Sequence, residues 1–264
     1  MKFIFEIAFA IIILSFLVLD LGVFHRKPKA VSVKAAALQT GFWIAVSGLF
    51  ALSIAVFYDT TKSLEFMSAY VTEEMLSVDN LFVILLILNY FAIEDRYQHR
   101  VLFYGIMGAI VMRALFIGLG SVIVAQFHWI LYIFGAVLIY TGFKLLFEKK
   151  DEHVDFSHSR LYRLAHRYLR FSQHHHNGKF FAREHGKLYA TSLLLVVLLI
   201  EWTDIVFAID SIPAAFSITQ DSFVIYTSNI FAIMGLRSMF FLLESFIHKF
   251  HHLQKGLSLV LIAI

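Results

Sequence analysis

Two acidic stretches stand where so apolar a chain has least use for them. The first is Glu73-Glu74-Met-Leu-Ser-Val-Asp79-Asn80, inside an apolar run from about 70 to 92. The second is Glu201-Trp-Thr-Asp204-Ile-Val-Phe-Ala-Ile-Asp210-Ser211, inside the run 188–213. A charged carboxylate near the middle of a membrane-spanning helix costs roughly 2.5 to 3.5 kcal/mol on insertion scales, so its presence asks for a function. The stretches share a spacing. An acid precedes an aspartate by six residues in each (Glu73 to Asp79, Asp204 to Asp210), and a small polar residue follows each aspartate, Asn80 and Ser211. Carboxylates, an amide and a hydroxyl are hard oxygen donors. They suit Mn²⁺, Mg²⁺ or Ca²⁺ better than Cu⁺, and the chain has no cysteine to offer a thiolate.

Charge arithmetic points the same way. Glu73, Asp79, Glu201, Asp204 and Asp210 face two candidate buried bases, Arg113 and Arg237. Two arginines do not neutralise five acids. The surplus is protonated, solvated or matched by a cation, and protonation of vacant carboxylates offers a route to proton antiport. A purely structural set of ion pairs is the competing reading, and it leaves the surplus unexplained. Arg113 and Arg237 are expected to balance vacant carboxylates and help close gates. Asp20 and Asn229 are lesser candidates. Asp20 stands beside basic residues at the end of a run, and Asn229 lies mid-run, where it can bond between helices. Glu74 fits the repeat spacing less well than Glu73, and Glu244 lies near a helix end. No phosphate loop, His-Glu-x-x-His or nucleophile elbow occurs, so no enzyme is expected, although Asp79 and Asp210 could in principle form a hydrolytic dyad.

The elements that must carry these groups are membrane helices. Apolar residues make up 59% of the 264 residues and charged residues 16%, too few to cover a soluble domain. The reading is an all-α polytopic membrane protein in a single transmembrane domain, 1–264. Spans fall near 3–24, 40–58, 70–92, 101–126, 128–147, 188–213 and 223–247, with a truncated eighth at 257–264. The first run lacks a small-residue cleavage site and reads as a retained helix.

Loop 25–39 carries Arg26, Lys27, Lys29 and Lys34, loop 93–100 Arg96 and Arg100, and loop 248–256 Lys249 and Lys255. Loop 148–187 carries nine Lys or Arg, while 59–69 has only Lys62 and 214–222 has none. The alternation places the N-terminus outside and the long basic loop in the cytoplasm. The two acidic runs then cross in opposite directions, and each is followed by a run with a central arginine. An inverted 3+3 helix repeat follows, with its site at the midplane. Pro213, just after Asp210-Ser211, is expected to break its helix, and only such unwinding would bring Asp204 and Asp210 to one face.

The loop 148–187 holds seven histidines, among them His174-His175-His176. A solvated basic loop near anionic lipid headgroups is preferred over metal capture, with a short amphipathic helix over 160–170. Nucleic acid is not an expected partner; the partners are a divalent metal ion and the lipid bilayer, with the oligomeric state open.

At these motifs the sequence resembles the TerC family of integral membrane proteins, including the Alx type. The resemblance rests on Leu19-Asp20-Leu-Gly-Val-Phe-His-Arg, Glu73 through Ser77-Val-Asp-Asn-Leu-Phe-Val83, Gln98-His-Arg-Val-Leu-Phe103 with Gly105 to Arg113, Glu201 through Pro213, and Tyr226 through Arg237. It covers nearly the whole chain, and family members look longer by one or two spans. It implies export of manganese across the cytoplasmic (inner) membrane, with Glu73, Asp79, Glu201, Asp204 and Asp210 on the metal pathway and no permanently bound cofactor. Historical names tie the family to tellurium resistance. A non-transporting role in membrane-protein assembly or metalation is the second function class.

Overall fold

The computed structural model describes residues 32–147, 163, 167, 169, 171–172, 178–184 and 186–249. The expected spans 3–24 and 257–264, Asp20, the histidine triplet and most of the basic segment 160–170 lie outside them.

Six helices and one hairpin make up the described residues. The helices are α1 (Val33–Phe57), α2 (Thr60–Tyr90), α3 (Asp95–Gln126), α4 (Ile130–Phe147), α5 (Ser192–Ile218) and α6 (Ser222–Lys249). Two short strands, β1 (Phe181–Glu184) and β2 (Lys187–Ala190), lie between α4 and α5. Ser32 caps α1, its hydroxyl accepting from the Ala35 amide at 3.3 Å. Short turns join α1 to α2, α2 to α3, α3 to α4 and α5 to α6, but of these sequential pairs only α1–α2 and, at fewer points, α3–α4 pack side by side. The turn after α2 closes on Ala92, whose φ of +48° is costly for a residue with a Cβ.

Four helices are long and apolar enough to cross a membrane: α1, α3 from Arg96, α5, and α6 to Glu244. Helix α2 has 31 residues, about 46 Å of helix, and so has the length; Glu73, Glu74 and Asp79 lower its apolar character. Large apolar side chains face outward, and a set of polar and charged ones is buried within the otherwise apolar core. Leu38, Val56, Phe57, Tyr132 and Ile139 are exposed, while Glu73, Ser77, Asn80, Arg113, Asn229 and Arg237 are buried. That is the pattern of helices whose outer surface meets lipid.

Packing is crosswise. Helix α2 lies against α5 and α6, and α3 lies against the same two, so α5 and α6 form the middle of the bundle. Gly105 lets α3 approach α5, since a Cβ there would stand 3.1 Å from Ile200 Cγ2. At one end Lys62 pairs with Glu65 at 3.0 Å and with Asp221 at 3.3 Å, and Thr219 donates to Glu65 at 2.5 Å. Burial pulls the Lys62 ammonium down, but its bonds to Glu65 and Asp221 prevail and hold it above the ordinary lysine value.

Two expectations need correction. Helix α5 runs unbroken from Ser192 to Ile218 with Pro213 inside it. Membrane helices tolerate a proline where neighbouring groups and small local adjustments re-satisfy the freed backbone, and Pro213 is buried beside Ile212, Ala215 and Phe216. The expected span 188–213 also begins later, at Ser192: residues 188–190 belong to strand β2, which pairs with β1 in register Phe181↔Ala190 and Arg183↔Leu188.

A candidate intramembrane polar site

The site forms where the midpoints of α2, α3, α5 and α6 meet. Arg113, 1% exposed, is at its centre on α3. Its guanidinium pairs with Glu73 of α2 through Nη1. Nη1 also donates to Asn229 Oδ1 of α6 at 2.9 Å, and Nη2 to Asp204 Oδ1 of α5 at 3.1 Å. One side chain therefore ties together four helices. The Asn229 amide is oriented by its own bond to the Ile225 carbonyl at 3.2 Å, which leaves its oxygen for the arginine.

Glu201 sits one turn before Asp204 on the same face of α5, close enough for the two charges to repel. Its carboxylate occupies the space that a Cβ at Gly108 would fill, so the glycine is the seat for this acid. Beside the cluster lies a cavity of about 30 Å³. Its polar lining comes from Asn80, Thr203, Asp204 and Arg237, and its apolar walls include Leu81, Ile106 and Phe207. A water needs about 10 to 15 Å³ on this measure, so the space takes a small ion or a water or two. Arg237, 5% exposed, approaches His99 of α3, with Nη2 and Nδ1 3.5 Å apart.

The buried oxygens near this cavity are under-used. Asn80 Oδ1, Glu201 Oε1 and Asp204 Oδ2 have no hydrogen-bond partner among the described residues. Buried acceptors in this state are uncommon, and a water or an ion held at the cavity would satisfy them. Two carboxylates on one guanidinium leave one negative charge in excess, which Arg237 on the cavity wall offsets, so that an ionised Glu201 makes the whole set net negative by one.

The structure thus brings Glu73, Arg113, Asp204 and Asn229 into contact, with Glu201, Asn80 and Arg237 around them. Asp79 and Asp210 are half-buried and make interactions of their own, and neither lines this cavity. Each is six residues from its partner acid on a continuous helix, about 120° round it. Among the described residues no three acids or histidines already form a metal cage. Sequence reasoning gave Asn229 a minor place although it is a direct partner of Arg113, and it missed Gly108 and Thr203. The spacing Gly105-x-x-Gly108 beside an intramembrane acid was the available signal for Gly108.

These features define an integral, multi-pass membrane protein with a charged core between its helices. The chain belongs to the TerC family: the model described as "Integral membrane protein TerC family" matches residues 58–264. Among its relatives is an uncharacterized membrane protein of Myxococcus xanthus, 43% identical over 97% of this chain and 80% of that protein. Another, from Rickettsia bellii, is 43% identical over 98% and 85%. A protein of Escherichia coli strain K12 named "Putative membrane-bound redox modulator Alx" is 40% identical over 97% and 82%. No solved structure matches the chain.

Proposed function

We propose that this protein is a transporter that exports a divalent metal ion, Mn²⁺ before Mg²⁺ or Ca²⁺, across the cytoplasmic membrane. The observation that carries the reading is the pair of buried oxygens without protein partners at a small cavity, on Asn80 and Asp204, with a third on Glu201 one turn of α5 away. Carboxylate and amide oxygens are the donors that hard divalent cations take. The cation is substrate, not a resident cofactor.

In this reading Arg113 holds Glu73 and Asp204 while no cation is present. An arriving ion takes Asp204, Glu201 and Asn80 as first ligands, and Glu73 joins as Arg113 is displaced. Asp79 and Asp210 lie further along the path and enter only after the helices move. Protons taken up by the released acids would supply antiport. The crosswise contacts support two inverted repeats: α2 on α6 and α5 on α3 are the same pairing seen from the two halves. Seven full spans with a further one, and the N-terminus outside, complete the proposed topology.

The test is manganese content in manganese-loaded cells that lack their own exporter. Cells carrying the protein should hold less manganese than cells without it, and Asp204→Asn and Glu201→Gln should restore the load at equal membrane abundance. Unchanged manganese in cells carrying the parent protein would reject export and favour the assembly role.

A further inference from the structure

The basic hairpin has no part in the site above, and its geometry points to the membrane surface. Phe180, just before β1, packs its ring edge-on against Tyr104 of α3 at 4.8 Å, with the Arg100 guanidinium 5.5 Å over the other side of the ring system. Arg100 also donates to the Gly178 carbonyl at 2.6 Å, and the Thr191 amide donates to the Phe180 carbonyl at 3.0 Å. The hairpin is therefore fixed to α3 and runs directly into α5.

That fixing sets its depth. Tyr104 lies nine residues along α3 from Arg113, about 13 Å. Arg113 is at the middle of the apolar run 101–126, and half of a hydrocarbon core of roughly 30 Å is about 15 Å. Phe180 and the strand that follows thus stand at the boundary between acyl chains and headgroups. At that level the hairpin turns an apolar face outward. Residues opposite one another in an antiparallel pair share a face, and successive residues alternate. The register places Phe181, Arg183 and Leu188 together. Phe181 is 47% and Leu188 62% exposed, while Ala182, on the other face, is buried and Tyr189 is half-buried. Arg183 is exposed on the face of the apolar pair and Lys187 on the opposite face near the turn, while Ala190, opposite Phe181, is buried where β2 meets α5.

We infer that this hairpin is a lipid-docking element: Phe181 and Leu188 enter the acyl boundary of the leaflet at the N-terminal end of α3, and Arg183 and Lys187 meet anionic phospholipid headgroups. Aromatic and aliphatic side chains flanked by bases are the composition of interfacial anchors. The fit is specific to this leaflet, because the opposite end of the bundle carries the mixed cluster of Lys62, Glu65 and Asp221.

The absence of native cysteines makes a direct test possible. Leu188→Cys and, as reference, Lys187→Cys in the full chain would be spin-labelled and placed in vesicles of phosphatidylcholine with or without phosphatidylglycerol. Collision with oxygen and with an aqueous nickel chelate reports depth. The Leu188 label should meet oxygen several-fold more than nickel, the Lys187 label the reverse. Adding phosphatidylglycerol should deepen the Leu188 label, and Arg183→Gln should remove that increment. A Leu188 label as open to nickel as the Lys187 label overturns the proposal, as does one shielded from both reagents, which would mean a protein partner. Equal depth in the two lipid mixtures overturns the role given to anionic headgroups.

Discussion

Arg113 and Arg237 occupy matching places in the two halves of the sequence, each at the centre of the span that follows an acidic stretch. The structure gives them different surroundings. Arg113 is clasped by Glu73, Asp204 and Asn229 from three other helices. Arg237 borders the cavity and approaches His99. Two copies of one motif thus sit differently, one inside the ion-paired cluster and one on the cavity wall.

The comparison breaks most sharply at Arg113. Arg113→Leu leaves Glu73 and Asp204 buried without their cation, which should cost about 3 to 5 kcal/mol. Loss of folded protein, or a large drop in thermal stability in detergent, would be the readout. Arg237→Leu should cost clearly less, because the Glu73–Arg113–Asp204 cluster keeps its own cation; equal losses would erase the distinction between the two arginines. Gly108→Ala comes next. The new methyl takes the space of the Glu201 carboxylate, and overpacking of this kind costs about 1 to 3 kcal/mol. Manganese export should fall with it, whereas Gly48→Ala, in open space on α1, should change neither property. Asn229→Ala removes one hydrogen bond to a charged group, worth about 1.5 to 3 kcal/mol in general, and should weaken the Arg113 side alone. The smallest effect lies outside both halves of the site. Ala92→Gly relieves a positive φ in the α2–α3 turn and should raise thermal stability by up to about 1 kcal/mol, leaving export untouched.

What the sequence makes legible here follows from energy. Glu73, Asp204 and Arg113 stand out because charge inside an apolar run is expensive, and the structure does bring them together. Which acid meets which arginine is not legible, since it depends on the rotation of each helix about its axis. That rotation also separates Asp79 and Asp210 from the cavity, a consequence of helices that stay regular past Pro213. Gly108 is silent in sequence because its role is to lack a side chain. The hairpin is hidden for another reason: four-residue strands amid basic and histidine-rich residues carry too little alternation to rise above the reading of a polar loop.

The central claim is that the buried acids conduct a divalent cation. Purified protein in vesicles loaded with a manganese-quenched dye tests it most directly, comparing the parent with Asp204→Asn and Glu73→Gln after each is shown to be folded. The account predicts rapid quenching for the parent and none above empty vesicles for either variant. Quenching by Asp204→Asn at the parent's rate would contradict it.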